Sequence, residues 1–318
     1  MKQWKQIAIA AALAAGTFGV AQAQSYLNVN FNNTQNVGGE NTKFRGSFTY
    51  GGVVYGPNTA IANPSAGVTA PTANSINLSA FTANTIHNPY DVENPSLTPK
   101  LGNDKTYEYS PEEGGGTGNA VVYRFYRQEY SGVVGNLTKG VGNLQEERRQ
   151  FVKAVVGQGT SYWFLPTSGN YTYNGVAFTN FPTGDFSYTV NLATKKGQGE
   201  FSLNDILVPA SWVGQTGVAK RLNVEGTLNE GTILPAGFFG LGAASVQGTV
   251  TAGAKDPNNT EQVALWNAVV ANSTDPVNPK YYLNFYGTNS GSDIAKEVAG
   301  TILDLPERIG GVAIIGKR

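Results

Sequence analysis

Acid–base, nucleophilic and metal chemistry all need side chains that ionise or coordinate in a useful range, and this chain has few of them. It contains one histidine, His87, in the stretch TANTIHNPYDVENP (82–95), and no cysteine. A zinc site needs three or four ligands drawn from His, Cys and carboxylates, and iron–sulfur or blue-copper centres need Cys, so these sites are excluded. A cysteine nucleophile is impossible, and a Ser-His-Asp triad would have to use His87, which no G-x-S-x-G elbow accompanies. Neighbouring carboxylates such as Glu112/Glu113 and Asp304/Glu307 carry no distinguishing pattern, although a glycosidase acid pair leaves none in a sequence. The stretch KDPNNTE (255–261) could offer oxygen ligands to calcium, but it lacks the EF-hand spacing and reads as a turn.

One metal chemistry passes this filter. Haem brings four nitrogen ligands of its own, so a protein need supply only one axial His or Tyr, an apolar slot and a few polar groups for the propionates. His87 could ligate the iron through one imidazole nitrogen while a carbonyl or carboxylate fixes its other N–H. Asn88–Pro89 would hold the backbone extended beside it. Tyr90 is the alternative ligand or a ring-stacking wall. Arg124 and Arg127 fall on opposite faces of one strand, so at most one of them reaches a propionate. Each residue also has a plainer reading, with His87 and Tyr90 as loop side chains and the two arginines facing solvent. On composition alone the plainer reading of His87 is the favoured one.

The elements that must position these residues are almost all strands. Forty glycines and many Tyr, Phe, Val and Thr occur in short alternating runs separated by Gly, Asn, Pro and Ser. The clearest are AVVYRFYRQEYS (120–131), NYTYNGVAFTNF (170–181), DFSYTVNLATKKGQGEFSL (185–203) and YYLNFYG (281–287). In FSYTVNL, Phe186, Tyr188, Val190 and Leu192 share one face, and Ser187, Thr189 and Asn191 share the other. Helix is expected only at QEERRQFVKAVV (145–156), at NTEQVALWNAVVAN (259–272) behind an Asn259 or Thr260 cap, and at SDIAKEVAG (292–300).

The N-terminus predicts export. Lys2 and Lys5 precede an apolar run from Ile7 to Val20, and Ala21-Gln22-Ala23 offers a signal-peptidase site, so residues 1–23 read as a secretory signal peptide. No cysteine follows to carry a lipid. Losing two lysines moves the balance of 22 basic and 22 acidic residues to a small net negative charge, which argues against a nucleic-acid partner. Residues 56–111 hold seven of the 15 prolines and read as long loops, whereas strand spacing is regular after about residue 165. The expected organisation is therefore a loop-rich N-terminal domain (24–160), which would carry the ligand, and a compact C-terminal barrel (161–318).

The segments SWVGQTG, VEGTL, SVQGTVTA, YYLNFYGTNSGSDIAKEVAGT and GGVAIIGKR resemble the β-barrel domain of transferrin-binding protein B and its relatives. VYRFYRQEYSGVVG (122–135), LPTSGNYTYNGVAF (165–178) and YTVNLATKKGQGEFSL (188–203) resemble the soluble hemophilins, secreted haem-binding cargo of a Slam-type outer-membrane translocator. The resemblance covers residues 118–318. It implies an all-β protein with an eight-stranded antiparallel C-terminal barrel and a few short helices, and a non-enzymatic haem-capturing role in bacterial iron acquisition. It also implies partners in the translocator and a TonB-dependent haem receptor, and a secreted or cell-surface location. The family's F-Y-G-P-x-A-x-E order is replaced here by Phe285, Tyr286, Gly287 and Thr288, with Ala295 and Glu297 displaced downstream.

Two further readings stand beside this one. The N-terminal loops, rich in Asn, Tyr and Gly, could instead grip a host protein, either an iron carrier or a complement component. An outer-membrane pore would explain export and strands, but it needs lipid-facing alternation in nearly every strand, which the proline-rich stretch does not offer.

Overall fold

The protein is described here as a computed structural model covering residues 26–30, 75–87, 121–138, 151–235, 242–273 and 277–318, with two short strand pairs between 34 and 55. The expected leader, Tyr90, Glu112, Glu113 and most of the proline-rich stretch lie outside the described residues.

Five short strands come first: β1 (Asn28–Asn30), β2 (Thr34–Gln35), β3 (Asn41–Thr42), β4 (Phe48–Tyr50) and β5 (Val53–Tyr55). They are followed by β6 (Ser75–Asn77), β7 (Ile86–His87), β8 (Val121–Arg127), β9 (Ser131–Thr138) and β10 (Val152–Gly157). β1 pairs with β6, and a four-stranded antiparallel sheet runs in the order β10-β9-β8-β7. β11 (Asn170–Phe178), β12 (Thr183–Asn191), β13 (Lys196–Val208), β14 (Lys220–Leu234), β15 (Ser245–Ala254), β16 (Lys280–Tyr286), β17 (Glu297–Leu303) and β18 (Val312–Lys317) then form a closed antiparallel barrel. The one α-helix among the described residues, α1 (Thr260–Ala271), buries Leu265 and Val269 in the barrel core.

The barrel encloses side chains. On β12, Phe186, Tyr188 and Val190 point into the lumen with Leu192 just beyond them, while Thr189 and Asn191 are exposed. The glycines make this packing possible. Tyr188 lies across from Gly199, Phe201 from Gly226 and Tyr281 from Gly248, so each ring rests on a backbone that carries no side chain. A Cβ added at Gly226 would stand 2.2 Å from a Phe201 ring carbon, closer than any real contact. Each fully buried ring contributes on the order of 2–3 kcal/mol of transfer free energy. Exposed outward positions such as Thr189, Gln198, Glu225, Thr227 and Thr251 are polar, the opposite of a lipid-facing band. No described helix is long and apolar enough to cross a membrane.

β17 and β18 are the exception to alternation, because both of their faces are covered. Val298, Ile302, Val312 and Ile314 belong to the lumen, whereas Ala299, Ala313 and Ile315 pack outward against Tyr126, Val133, Phe151 and Val152 of the four-stranded sheet. The sheet thus lies side-on against the barrel wall. A strand buried on both faces reads as a nearly continuous apolar run.

This corrects two of the expected helices. Residues 152–157 form β10 rather than the end of a helix over 145–156, whose remainder, apart from Phe151, lies outside the described residues. Val152, Val155 and Val156 are β-branched, and the apparent helical spacing came from a strand buried along much of its length. SDIAKEVAG (292–300) is likewise a turn leading into β17, where Gly300 lies so close to the Tyr282 carbonyl that a Cβ would fall 1.8 Å from its oxygen. The helix expected at 259–272 is α1. Its Asn259 side chain accepts from the backbone N–H groups of Glu261 and Gln262, and KDPNNTE is the turn that delivers that cap.

Candidate functional site

The His87 corner is built by a tight turn. Asn84, with φ of 60°, donates its N–H to the Arg127 carbonyl at 2.8 Å, and this turns the chain so that β7 lies along β8 with His87 opposite Phe125. The half-buried His87 ring stacks on Phe125 with 5.1 Å between centroids and meets Phe81 edge-on at 5.3 Å. Its Nε2 lies 2.9 Å from the Thr82 carbonyl oxygen. A carbonyl only accepts, so Nε2 is the donor in this contact.

Arg124 does not face solvent, which corrects the plainer reading of that residue, and Arg127 is only partly exposed. Arg124 is only 5% exposed, and its Nη1 donates to the carbonyls of Thr179, Phe181 and Pro182 at 2.7, 2.7 and 3.2 Å. Its guanidinium also sits 5.6 Å from the centre of the Phe178 ring. Arg124 therefore fastens β8 to the β11–β12 connection of the barrel. Arg127 is half-buried and donates from Nε to the Phe81 carbonyl at 2.6 Å and from Nη1 to the Gln128 carbonyl at 3.2 Å. It holds the turn that presents His87. The two do lie on opposite faces, but both are engaged with backbone carbonyls.

A second constellation lies at the other end of the seam between sheet and barrel. Glu297, at the start of β17, is 1% exposed and accepts from the backbone N–H of Glu129 at 2.8 Å, the backbone N–H of Tyr130 at 2.9 Å and the Ser131 hydroxyl at 2.8 Å. Burial pushes the Glu297 carboxyl above its ordinary range, and these three donors pull it part of the way back. Around it, the Tyr130 hydroxyl donates to Asp293 at 2.8 Å and Lys296 bridges Glu129 and Asp293 at 3.0 and 3.2 Å. The Tyr130 and Lys296 bonds lower the Asp293 pKa, and the two carboxylates raise that of Lys296. The buried Gln128 Nε2 finds no partner among the described residues.

The displaced F-Y-G segment builds this end. Gly287 has φ of 140°, and a Cβ there would strike the Asp293 carbonyl at 2.0 Å, so the reversal into the 288–296 loop requires glycine. Thr160 Oγ1 then accepts from the Ala295 N–H, and the Tyr173 hydroxyl donates to the Ala295 carbonyl at 2.7 Å. The longer turn delivers Ala295 and Glu297 into one buried knot.

Among the sequence candidates the structure brings together His87 and Arg127 at one corner and gives Arg124 to the seam. Sequence reasoning did not assign Glu297 or Arg124 to that seam. The available signal was the apolar run on both faces of β17 and β18, which requires a covering layer. Among the described residues no group of three or more His, Asp or Glu is placed to hold a metal ion.

With this geometry in place, comparison with known proteins gives a partial match. The family described as Factor H binding protein, C-terminal, matches residues 164–302, which are most of the barrel. No curated protein matches the chain. Among solved structures, one titled "The Structure of Intact Ap-TbpB (N and C lobes)" is similar at 14% identity and a TM-score of 0.30, covering 63% of this chain. The chain spans about a third of that structure, 36% of its length. The C-terminal part is thus a closed eight-stranded barrel similar to that of the Factor H binding protein family.

Proposed function

We propose that this chain is an exported, non-enzymatic binding protein of the cell surface or surroundings whose ligand is a host protein, a complement component or an iron carrier. The observation that carries this reading is the match of residues 164–302 to the Factor H binding protein C-terminal family. The rest of the molecule supports it. The lumen is filled, so the barrel is a scaffold, and the sheet fastened against it offers loops rather than a reaction centre. The test is surface plasmon resonance of the chain without residues 1–23 against purified factor H and against a host iron carrier. Saturable binding to either supports the reading, and its absence for both overturns it.

Haem capture is a second reading, favoured by one observation: the His87 ring, with Nε2 donating to Thr82 and aromatic walls at Phe81 and Phe125. His87 would be the residue that holds the iron of a haem bound there, and the haem would be the cargo that a receptor later collects. The fit is limited to this residue, because Arg124 and Arg127 are committed to carbonyls and a propionate would need other partners. A haemin titration read at the Soret band separates the two readings. A saturable shift lost in His87→Ala selects haem, and no shift in the wild type removes it. Export through a Slam-type translocator is proposed on the resemblance of the barrel and goes with either reading, whereas delivery to a TonB-dependent haem receptor belongs to the second reading alone.

A further inference from the structure

The turn that joins β8 to β9 is closed at its base by the Gln128 N–H, which donates to the Ser131 carbonyl at 2.7 Å. Both carbonyls at its tip are already engaged. That of Glu129 accepts from the Tyr26 hydroxyl at 2.9 Å, and that of Tyr130 accepts from the Gln158 N–H at 2.9 Å. The two successive N–H groups are left for the barrel side, where both meet Glu297. The Glu129 N–H reaches Oε1, whereas the Tyr130 N–H and the Ser131 hydroxyl converge on Oε2. Successive backbone N–H groups in a turn make an anion-binding concavity. Beside it lies the buried Gln128 amide, whose Oε1 is 3.2 Å from Ser131 Oγ and whose Nε2 has no partner among the described residues. The corner thus holds more donors than one carboxylate uses. No ion pair reaches Glu297 among the described residues, and the neighbouring acids Glu129 and Asp293 are both paired with Lys296.

We propose that this turn is a preformed carboxylate receptor, that Glu297 is its built-in ligand, and that the pair is the latch docking the four-stranded sheet on the barrel wall. The division of three donors over two oxygens selects the ligand class. It suits a planar, two-oxygen anion and not a spherical one such as chloride. The contacts of the turn with Tyr26 and Gln158 do not involve Glu297, so the N–H groups keep their direction when that side chain is removed. A receptor vacated in this way takes a small carboxylate from solution. The proposal does not depend on which ligand the protein carries.

Glu297→Ala removes Cγ and the carboxyl group, whose heavy atoms are those of acetate. Hydrogen-exchange mass spectrometry of the turn in the purified variant, in sodium acetate, sodium chloride or acetamide at matched concentrations, is the test. The expected result is turn exchange about tenfold or more faster than in the wild type, slowed saturably by acetate and not by chloride or acetamide. Acetate should leave the wild type unchanged, because Glu297 fills the receptor. Adding Ser131→Ala removes one of the three donors and should raise the acetate concentration required. Exchange that acetate does not slow, or that chloride slows equally, overturns the proposal, and so does an acetate requirement unchanged by Ser131→Ala. Where Glu297→Ala refolds poorly, the yield of refolded protein in the same three solutes is the readout, and no advantage for acetate overturns the proposal likewise.

Discussion

Ser131 and Glu297 meet across the seam between sheet and barrel, the hydroxyl donating to Oε2 at 2.8 Å while the Glu129 and Tyr130 N–H groups complete the carboxylate's shell. A buried carboxylate with three donors is held by geometry, and removing it strands the donors. Glu297→Ala is expected to cost about 2–4 kcal/mol, because two backbone N–H groups and a hydroxyl lose their acceptor at once. Glu297→Gln keeps one acceptor oxygen but turns an NH2 towards a donor, and about 1–2 kcal/mol is expected. Urea denaturation of both variants against the wild type checks the order.

The same residue sets a pH dependence. Burial raises its folded pKa above the ordinary 4.5, so the folded chain binds this proton more tightly than the unfolded chain does. The resulting contribution is fully present below pH 4.5 and is lost as pH rises through the folded value. The difference between wild-type and Glu297→Gln stability should therefore change across the window that opens at 4.5 and extends upwards. Denaturation curves at closely spaced pH values read it directly, and a constant difference would contradict it.

Arg124 fastens the other end of the seam through three carbonyls of the β11–β12 connection. Lysine keeps the charge but not the planar fork, so Arg124→Lys should cost about 1–3 kcal/mol and Arg124→Ala about 3–5 kcal/mol. Because the apolar seam lies between Arg124 and Glu297, loosening either end should speed hydrogen exchange in β8 and β9 before it affects the far barrel strands. Exchange mass spectrometry of Arg124→Lys tests this.

How much of this could be read in advance follows from periodicity. The alternation of Phe186, Tyr188 and Val190 against Thr189 and Asn191 announced a strand with one wet face, and the structure has it. The Asn259 cap and the apolar residues behind it announced α1 in the same way. β10 and the start of β17 were read as helix because burial on both faces, complete in β17 and covering the first half of β10, erases the period-two signal, and what covers them comes from distant parts of the chain. Arg124 was misread for a related reason. Its partners are backbone carbonyls 55–58 residues away, and a carbonyl leaves no mark in a sequence. His87 was conspicuous by scarcity, yet the Thr82 carbonyl and the two phenylalanine rings that surround it depend on the Asn84 turn.

The glycine–aromatic pairs give a packing prediction. Gly226→Ala places a methyl group 2.2 Å from the Phe201 ring, and the closed barrel leaves little room for either to move. A loss of about 1–3 kcal/mol is expected from overpacking. Phe201→Leu in the same chain should restore part of it, although the smaller side chain carries its own cavity cost. Thermal unfolding of the single and double variants shows whether the two positions couple.

Inside the barrel Tyr281 donates to the Asn229 carbonyl at 2.9 Å, so the 3.1 Å contact between the two hydroxyls must be donated by Tyr188. This order makes the two tyrosines unequal. Tyr188→Phe removes one incoming bond and leaves Tyr281 still donating, at about 1 kcal/mol. Tyr281→Phe removes an acceptor and a donor together, stranding the buried Tyr188 hydroxyl and the Asn229 carbonyl, at about 2–3 kcal/mol. The double variant strands only Asn229 and should be less damaged than the sum of the singles. Burial raises the Tyr188 pKa above the ordinary 10, so its phenol should stay protonated while exposed tyrosines titrate. Denaturation of the three variants tests the donor order, and a larger loss for Tyr188→Phe than for Tyr281→Phe would contradict it.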